Sequence, residues 1–208
     1  MLSLLTPLDI ISVLWFFGVW VGYNLIADSR ERGIYLDNYT ANCSVYGNII
    51  VRSGFWGIVV NTGKNNAIEN NIFVETKGAL GVGNWMDGLM PAMNGFTSGN
   101  RFCRNIVVGA EEGVVVGEFH GEVANVTVSG FSTPHELDAK TPRALAQSDY
   151  NLVFDTPNAE SYLEDRRRAG SEVFSVIADP MFVNRDKDDF RLRPESPAFE
   201  LGFQAIDF

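Results

Sequence analysis

Short aliphatic runs, each introduced by an asparagine, recur along the chain. The clearest copies begin at Asn24, Asn48, Asn71 and Asn105, and weaker copies begin at Asn125 and Asn151. The first three asparagines are separated by about 24 residues. The runs are too short for helices and are bounded by Gly, Asn, Ser and Thr, so they predict β-strands.

A second strand follows the clearest copies at a nearly fixed separation. It reads Gly-Ile-Tyr-Leu-Asp from Gly33, Gly-Ile-Val-Val-Asn from Gly57 and Gly-Val-Val-Val-Gly from Gly113. Such a unit cannot bury its apolar face alone, whereas stacked units form a continuous core. The sequence therefore predicts an all-β fold, a single-stranded parallel β-helix whose three-sided coils contain about 24 residues each.

The recurrent asparagines are predicted to occupy the same corner of every coil. There, each side-chain amide would bond to the corners above and below, while the asparagine backbone adopts the left-handed region. This structural interpretation of the asparagines is favoured over a catalytic one.

Three segments differ in pattern. Residues 1–22 are mostly apolar and are predicted to cap the coils or form the first buried turn. Two alternatives stay open. The segment could be a secretory or anchoring segment, or the start codon could lie upstream of, or inside, a longer natural coding region. Residues 23–154 contain the coils, with an inserted loop at 77–99. Residues 155–208 contain a closing segment and an exposed helix whose sequence, Ala159–Arg168, precedes Gly170.

Composition narrows the possible partners. The net charge of −10 opposes binding to nucleic acid and to anionic membranes, and it disfavours strongly acidic polysaccharides. Cys43 and Cys103 are interpreted as small buried residues. Asp186, Asp188 and Asp189 lack the glycine and distal Glu of a calcium loop, so we expect no metal and no cofactor. We expect a monomer with no membrane contact unless residues 1–22 anchor it.

The C-terminal part of the chain resembles a known superfamily. Four segments carry the resemblance: Ala178-Asp-Pro-Met-Phe-Val183, Asp189-Phe-Arg-Leu192, Ser196-Pro-Ala198 and Leu201-Gly-Phe203. Together they resemble the closing segment of secreted right-handed parallel β-helix proteins of the pectate-lyase-like superfamily. With the repeats, the resemblance covers residues 23–208. It implies a right-handed β-helix and an extracellular or periplasmic location.

The strand that begins at Gly33 resembles one found in β-helix glycoside hydrolases of the β-xylosidase-like and fucosidase/xylanase-like families. That resemblance implies a nucleophile role for Asp37, with a Glu one coil later as acid/base. This sequence has Asn61 there, and an amide cannot donate a proton to a leaving group. Residues one coil apart stack at about 4.8 Å, close to the roughly 5–5.5 Å between the carboxyls of a retaining pair. The missing acid would then be Asp87 or Glu118.

Several other side chains are candidates for binding a sugar. Aromatic residues could stack on a sugar ring or pack inside the coils, and polar residues could bond its hydroxyls. The predicted set is Tyr35, Asn38, Tyr39, Asn61, Lys64, Trp85 and His120, with Trp56 as a further stacking candidate. Asp37 could instead be a corner carboxylate that accepts backbone N–H bonds, and His120 a turn residue.

The expected function is therefore a glycoside hydrolase, or part of one, acting on a neutral polysaccharide. A non-catalytic glycan-binding or structural β-helix is the alternative from another class, and the missing Glu at position 61 favours it. A polysaccharide lyase is disfavoured because the candidate strands carry little positive charge. The expected partner in each binding or catalytic case is a polysaccharide or oligosaccharide.

Overall fold

Sixteen short parallel strands form three sheets in the described part of the chain. The structure is a computed structural model that describes residues 11–14, 17–83, 97–111, 114–119 and 145–206. The strands of the first sheet are β1 (Ile11–Leu14), β4 (Ile34–Asp37), β7 (Trp56–Asn61), β10 (Gly78–Gly83) and β13 (Val114–Phe119).

The second and third sheets contain shorter strands. The second sheet contains β2 (Trp20–Gly22), β5 (Ser44–Tyr46), β8 (Ala67–Glu69), β11 (Asn100–Cys103) and β14 (Leu145–Asp149). The third contains β3 (Leu25–Ala27), β6 (Ile49–Val51), β9 (Ile72–Val74), β12 (Ile106–Val108), β15 (Leu152–Phe154) and β16 (Val176–Ile177).

The chain visits the three sheets in turn. In the repeating part, each strand pairs in parallel with the strand three places along the chain, as when Ile34 lies beside Ile58 and Leu25 beside Ile49. We call one such set of three strands a coil. The parallel sheets are consistent with the predicted parallel β-helix, and the register reproduces the predicted repeat of about 24 residues.

The second sheet was not predicted, because the sequence indicates only two strands per repeat. Its strands show why: β5 buries a single residue, Val45, between the half-buried Ser44 and Tyr46. One apolar residue is too short a pattern to reveal alternation. The two residues after β5, Gly47 and Asn48, are the whole connection to the third sheet.

The asparagine ladder is confirmed. Asn48 donates both its backbone N–H and its side-chain amide to Oδ1 of Asn71, each at 3.0 Å. Asn71 bonds to Asn105 in the same way at 2.9 and 3.1 Å, and Asn105 bonds to Asn151 at 2.9 and 3.3 Å. The weaker copy at Asn125 lies outside the described residues.

The prediction that these asparagines adopt the left-handed region is wrong. The residue before each one does so instead, as at Gly47 (φ 68°), Asn70 (φ 58°) and Arg104 (φ 54°). The preceding residue makes the bend because the asparagine must direct its own N–H and its amide along the stack. A second ladder, from Asn66 to Asn100, was not predicted.

The ladder ends at a buried carboxylate. Asn151, the last asparagine of the ladder, donates its amide to Glu172 Oε2 at 3.0 Å. The hydroxyls of Ser148 and Ser175 also bond to Glu172, which is fully buried. Burial raises the pKa of this carboxyl. An acceptor is needed here because each ladder amide donates toward the C-terminal coils.

Part of segment 1–22 forms β1 and β2, which pair with β4 and β5 of the next coil and agree with the prediction of a first turn. Residues 1–10 are not described. The predicted loop 77–99 begins too early, because Gly78–Gly83 forms β10 of the first sheet. Two glycines of β10 lie beneath the Trp56 ring: a Cβ at Gly78 would be 2.3 Å from Trp56 Cζ3.

The C-terminal segments cover apolar surface. Helix α1 (Ala159–Arg168) is confirmed, but it is not wholly exposed, since Leu163 is fully buried and Ala159 joins the interior core. The antiparallel hairpin of β17 (Phe182–Asn184) and β18 (Asp189–Leu192) packs phenylalanines on the outside of the third sheet. Short 3-10 turns occupy Arg185–Lys187 and Pro197–Phe199. The described part of the chain contains no helix long and apolar enough to span a membrane.

Candidate functional site

A cluster of polar side chains lies on the outer face of the first sheet. In β4 and β7, the residues at alternate positions, such as Leu36 and Val60, belong to the buried interior. Tyr35, Asp37 and Asn61 therefore project from the other face. The register of β4 against β7 brings Asp37 next to Asn61 in the following coil. We call Tyr35, Asp37 and Asn61 the polar cluster.

Hydrogen bonds join all members of the polar cluster. The Asn61 amide donates to Asp37 Oδ1 and to the Tyr35 hydroxyl, each at 2.9 Å. The backbone N–H of Asn38 also donates to Asp37 Oδ1 at 2.9 Å. The carboxylate is thus held by two N–H donors, and the bond from the Asn38 backbone is the kind expected of a corner carboxylate.

Tyr35 stays protonated over a wide pH range. Its burial and the adjacent Asp37 charge raise the pKa of its phenol to about 12. The Arg32 guanidinium lies 5.0 Å from the centre of the Tyr35 ring and 5.7 Å from that of Phe55. Because Arg32 occupies one face of the ring, Tyr35 contributes mainly its hydroxyl to the cluster.

Two buried acceptors beside Asp37 lack donors. Asn61 Oδ1 and Asn38 Oδ1 are inaccessible to solvent, and neither has a hydrogen-bond partner among the described residues. Asn61 as a whole is 4% exposed. An unpaired buried acceptor costs about 1–3 kcal/mol, so it indicates a position where a bound hydroxyl or water would complete the bonding.

Two of the predicted stacking residues, Tyr39 and Trp56, are not open platforms. Tyr39 is 5% exposed at the corner after β4, and Trp56 is 6% exposed. Trp56 lies on the outer face but covers the β10 backbone at Gly78 and Gly81. These two aromatic residues stabilise the scaffold, and their burial leaves little ring surface for a sugar.

The register separates Glu118 from Asp37. Glu118 is aligned with Val82 and Val60, which belong to the interior core, whereas Phe119 is aligned with Gly83 and Asn61. Glu118 is therefore one position away from the row that contains Asp37. Lys64 is exposed after β7, where its backbone bridges to two neighbouring coils. Asp87, Trp85 and His120 fall outside the described residues.

The cluster can bind hydroxyl groups with both donors and acceptors. The row through Asp37 reads Leu14, Asp37, Asn61, Gly83 and Phe119 across the first sheet. These described positions provide a single carboxylate. A retaining glycosidase needs two carboxyls roughly 5–5.5 Å apart, so the row alone does not supply the pair.

Arg32 and Phe55 were missed from the sequence. They contact each other across neighbouring coils, being separated by about one repeat. The repeat length could have paired them, but the pattern contains no signal that Arg32 covers the Tyr35 ring.

Comparisons with known proteins found no matching family model, no similar curated protein and no similar solved structure.

Proposed function

We propose that this chain is a carbohydrate-binding protein of the right-handed parallel β-helix type, resembling the pectate-lyase-like superfamily. Its polar cluster binds the hydroxyls of a neutral glycan. We further propose that it acts as a monomer and that, as the resemblance implies, it is located outside the cytoplasm.

The unpaired Asn61 Oδ1 carries this proposal. It is a buried acceptor beside a carboxylate and a phenol that stays protonated, so a hydroxyl that entered the cluster would find an unused acceptor next to an anion. Sugar hydroxyls act as donors and acceptors at once and match such a set. The net charge of −10 disfavours acidic glycans at long range.

Binding without hydrolysis is favoured by the identity of residue 61. Asn61 holds Asp37 through its amide at the position where the resemblance implies a proton donor. An amide cannot act as general acid. The Asp37 carboxylate is therefore available for recognition but lacks its catalytic partner in this row.

A glycoside hydrolase is the second candidate. Two N–H donors hold Asp37 Oδ1 in a fixed position, and a carboxylate can act as the nucleophile at an anomeric carbon. In this mechanism Asp37 attacks the anomeric carbon, and Asp87, which lies outside the described residues, protonates the leaving group.

One titration experiment tests both candidates. Xylohexaose, cellohexaose and mannohexaose are titrated calorimetrically into the wild type, Asp37→Asn and a control, Asp165→Asn, which alters a carboxylate 67% exposed on α1. Loss of a charge-assisted hydrogen bond is worth about 1.5–3 kcal/mol, so Asp37→Asn should weaken binding at least about tenfold. The control should bind like the wild type.

Each outcome has a defined meaning. No binding of any of the three sugars, or equal binding by wild type and Asp37→Asn, would contradict the proposal. Release of new reducing ends by the wild type, lost in Asp37→Asn, would make the second candidate correct.

A further inference from the structure

Two aromatic rings are exposed side by side on the second sheet. Trp20 is 57% exposed and Tyr23 is 50% exposed. Their ring centres are 5.7 Å apart, and Tyr23 lies 6.2 Å from the ring of Tyr46 in the next coil. Adjoining exposed apolar side chains of this kind are a feature of binding surfaces.

Glycines allow both rings to lie directly against the backbone. A Cβ atom at Gly22 would be 2.3 Å from Trp20 Cζ2, and one at Gly47 would be 2.9 Å from Tyr23 Cε1. Each ring is therefore supported on one side by main chain while much of its surface stays open to solvent. We call Trp20 and Tyr23 the aromatic platform.

A polar rim borders the aromatic platform. In the second sheet Gly22 is aligned with Tyr46, and Tyr46 with Glu69. Glu69 pairs with Arg104 at 2.7 Å and with Arg101 at 3.2 Å. Burial and the neighbouring Tyr23 raise the pKa of the Tyr46 phenol, which therefore remains a donor at neutral pH. The rim thus offers a carboxylate, guanidinium groups and a phenol.

We propose that the aromatic platform and its polar rim form a second glycan-binding site, which takes a neutral oligosaccharide chain. A pyranose presents C–H groups on its face and hydroxyls at its edge, so it matches a flat aromatic surface beside hydrogen-bonding groups. From Gly22 to Glu69 the surface crosses two strand spacings, about 10 Å. This length fits two linked sugars better than a single ring.

Glu69, Arg101 and Arg104 adjoin the platform, and sugar hydroxyls can both donate to and accept from such groups. The site lies on the second sheet and does not depend on the polar cluster of the first, so either can fail without the other.

The test separates the two sites by using a chain that lacks the first. In an Asp37→Ala background, binding of xylohexaose and cellohexaose is measured by calorimetry, and retention on insoluble xylan and cellulose is measured by pull-down. Adding Trp20→Ala or Tyr23→Ala should weaken binding at least about tenfold, because much of the stacked area is lost. Adding Phe174→Ala, which removes a ring 58% exposed at the other end of the chain, should have no effect.

Circular dichroism and melting temperature confirm folding, which these exposed substitutions should preserve. Absence of binding to all four probes, or equal binding with and without Trp20, would overturn the proposal. A wild-type dimer in sedimentation that Trp20→Ala dissociates would also overturn it, since the surface would then be an interface between copies.

Discussion

Replacing Asn71 by alanine removes an internal member of the ladder. Asn71 Oδ1 accepts the backbone N–H and the amide of Asn48, each at 3.0 Å. Its own amide donates to the carbonyls of Val45 and Glu69, each at 3.0 Å, and to Asn105 at 3.1 Å. Every one of these bonds is lost in the variant.

The loss of folding free energy in Asn71→Ala depends on which neighbouring groups keep a hydrogen-bond partner. The Asn48 amide keeps the Val21 carbonyl, and Asn105 Oδ1 keeps the Asn71 backbone N–H. The Asn48 backbone N–H, in a residue with no exposure, loses its partner. One buried unsatisfied group costs about 1–3 kcal/mol, and the lost carbonyl bonds add about 1 kcal/mol. The free energy of unfolding should fall by about 2–4 kcal/mol.

Asn24→Ala is the matched control. Asn24 is partly buried in the first coil of the ladder, and it donates to Asn48 but accepts no bond from another ladder asparagine among the described residues. Water can reach the groups that it releases, so we expect a loss of about 1 kcal/mol or less. Urea unfolding at neutral pH gives both values from the midpoints and slopes. Equal losses in the two variants would refute the ladder reasoning.

Three further predictions concern buried groups. Burial raises the pKa of Glu172, so the folded state binds the carboxyl proton more tightly than the unfolded state does. The stabilisation from this proton is present below about pH 4.5 and is lost as the pH rises through the raised pKa of the folded state. Glu172→Gln should remove this dependence in melts across pH, and an unchanged profile would contradict it. Gly78→Ala should cost about 1–3 kcal/mol through its clash with Trp56, and Trp56→Leu should reduce that penalty; an equal penalty in both backgrounds would exclude the clash. Asp37→Asn should lower the pKa of Tyr35 from about 12 in ultraviolet titration, since a neighbouring negative charge is removed, whereas an unchanged titration would show that burial alone sets it.

The sequence was sufficient to predict the repeating strands and the ladder. Asn48 and Asn71 precede aliphatic runs at nearly constant spacing, and a side-chain ladder requires that spacing. It was not sufficient for β5 or β10. A strand with one buried residue, Val45, shows no alternation, and the glycines of Gly78–Gly83 resemble a loop until the Trp56 ring above them is known.

The site was predictable only in part. The proximity of Asp37 and Asn61 followed from the repeat, and their hydrogen bond agrees with it. The burial of Tyr39 and the position of Arg32 over Tyr35 did not follow, because the direction of a side chain at a corner depends on the local turn and not on the period. The repeat also did not reveal that the backbone register aligns Glu118 with Val82 and aligns Phe119 with Gly83.

The central claim is that the polar cluster binds a glycan through the Asn61 amide group and its neighbours. The most direct measurement is the side-chain amide resonance of Asn61 during titration with xylohexaose, cellohexaose and mannohexaose, assigned by its loss in Asn61→Ala. With at least one of these sugars we expect a saturable shift of the Asn61 resonance, while that of the interior ladder residue Asn105 stays in place. An Asn61 resonance unmoved at saturating concentrations of all three would contradict the account.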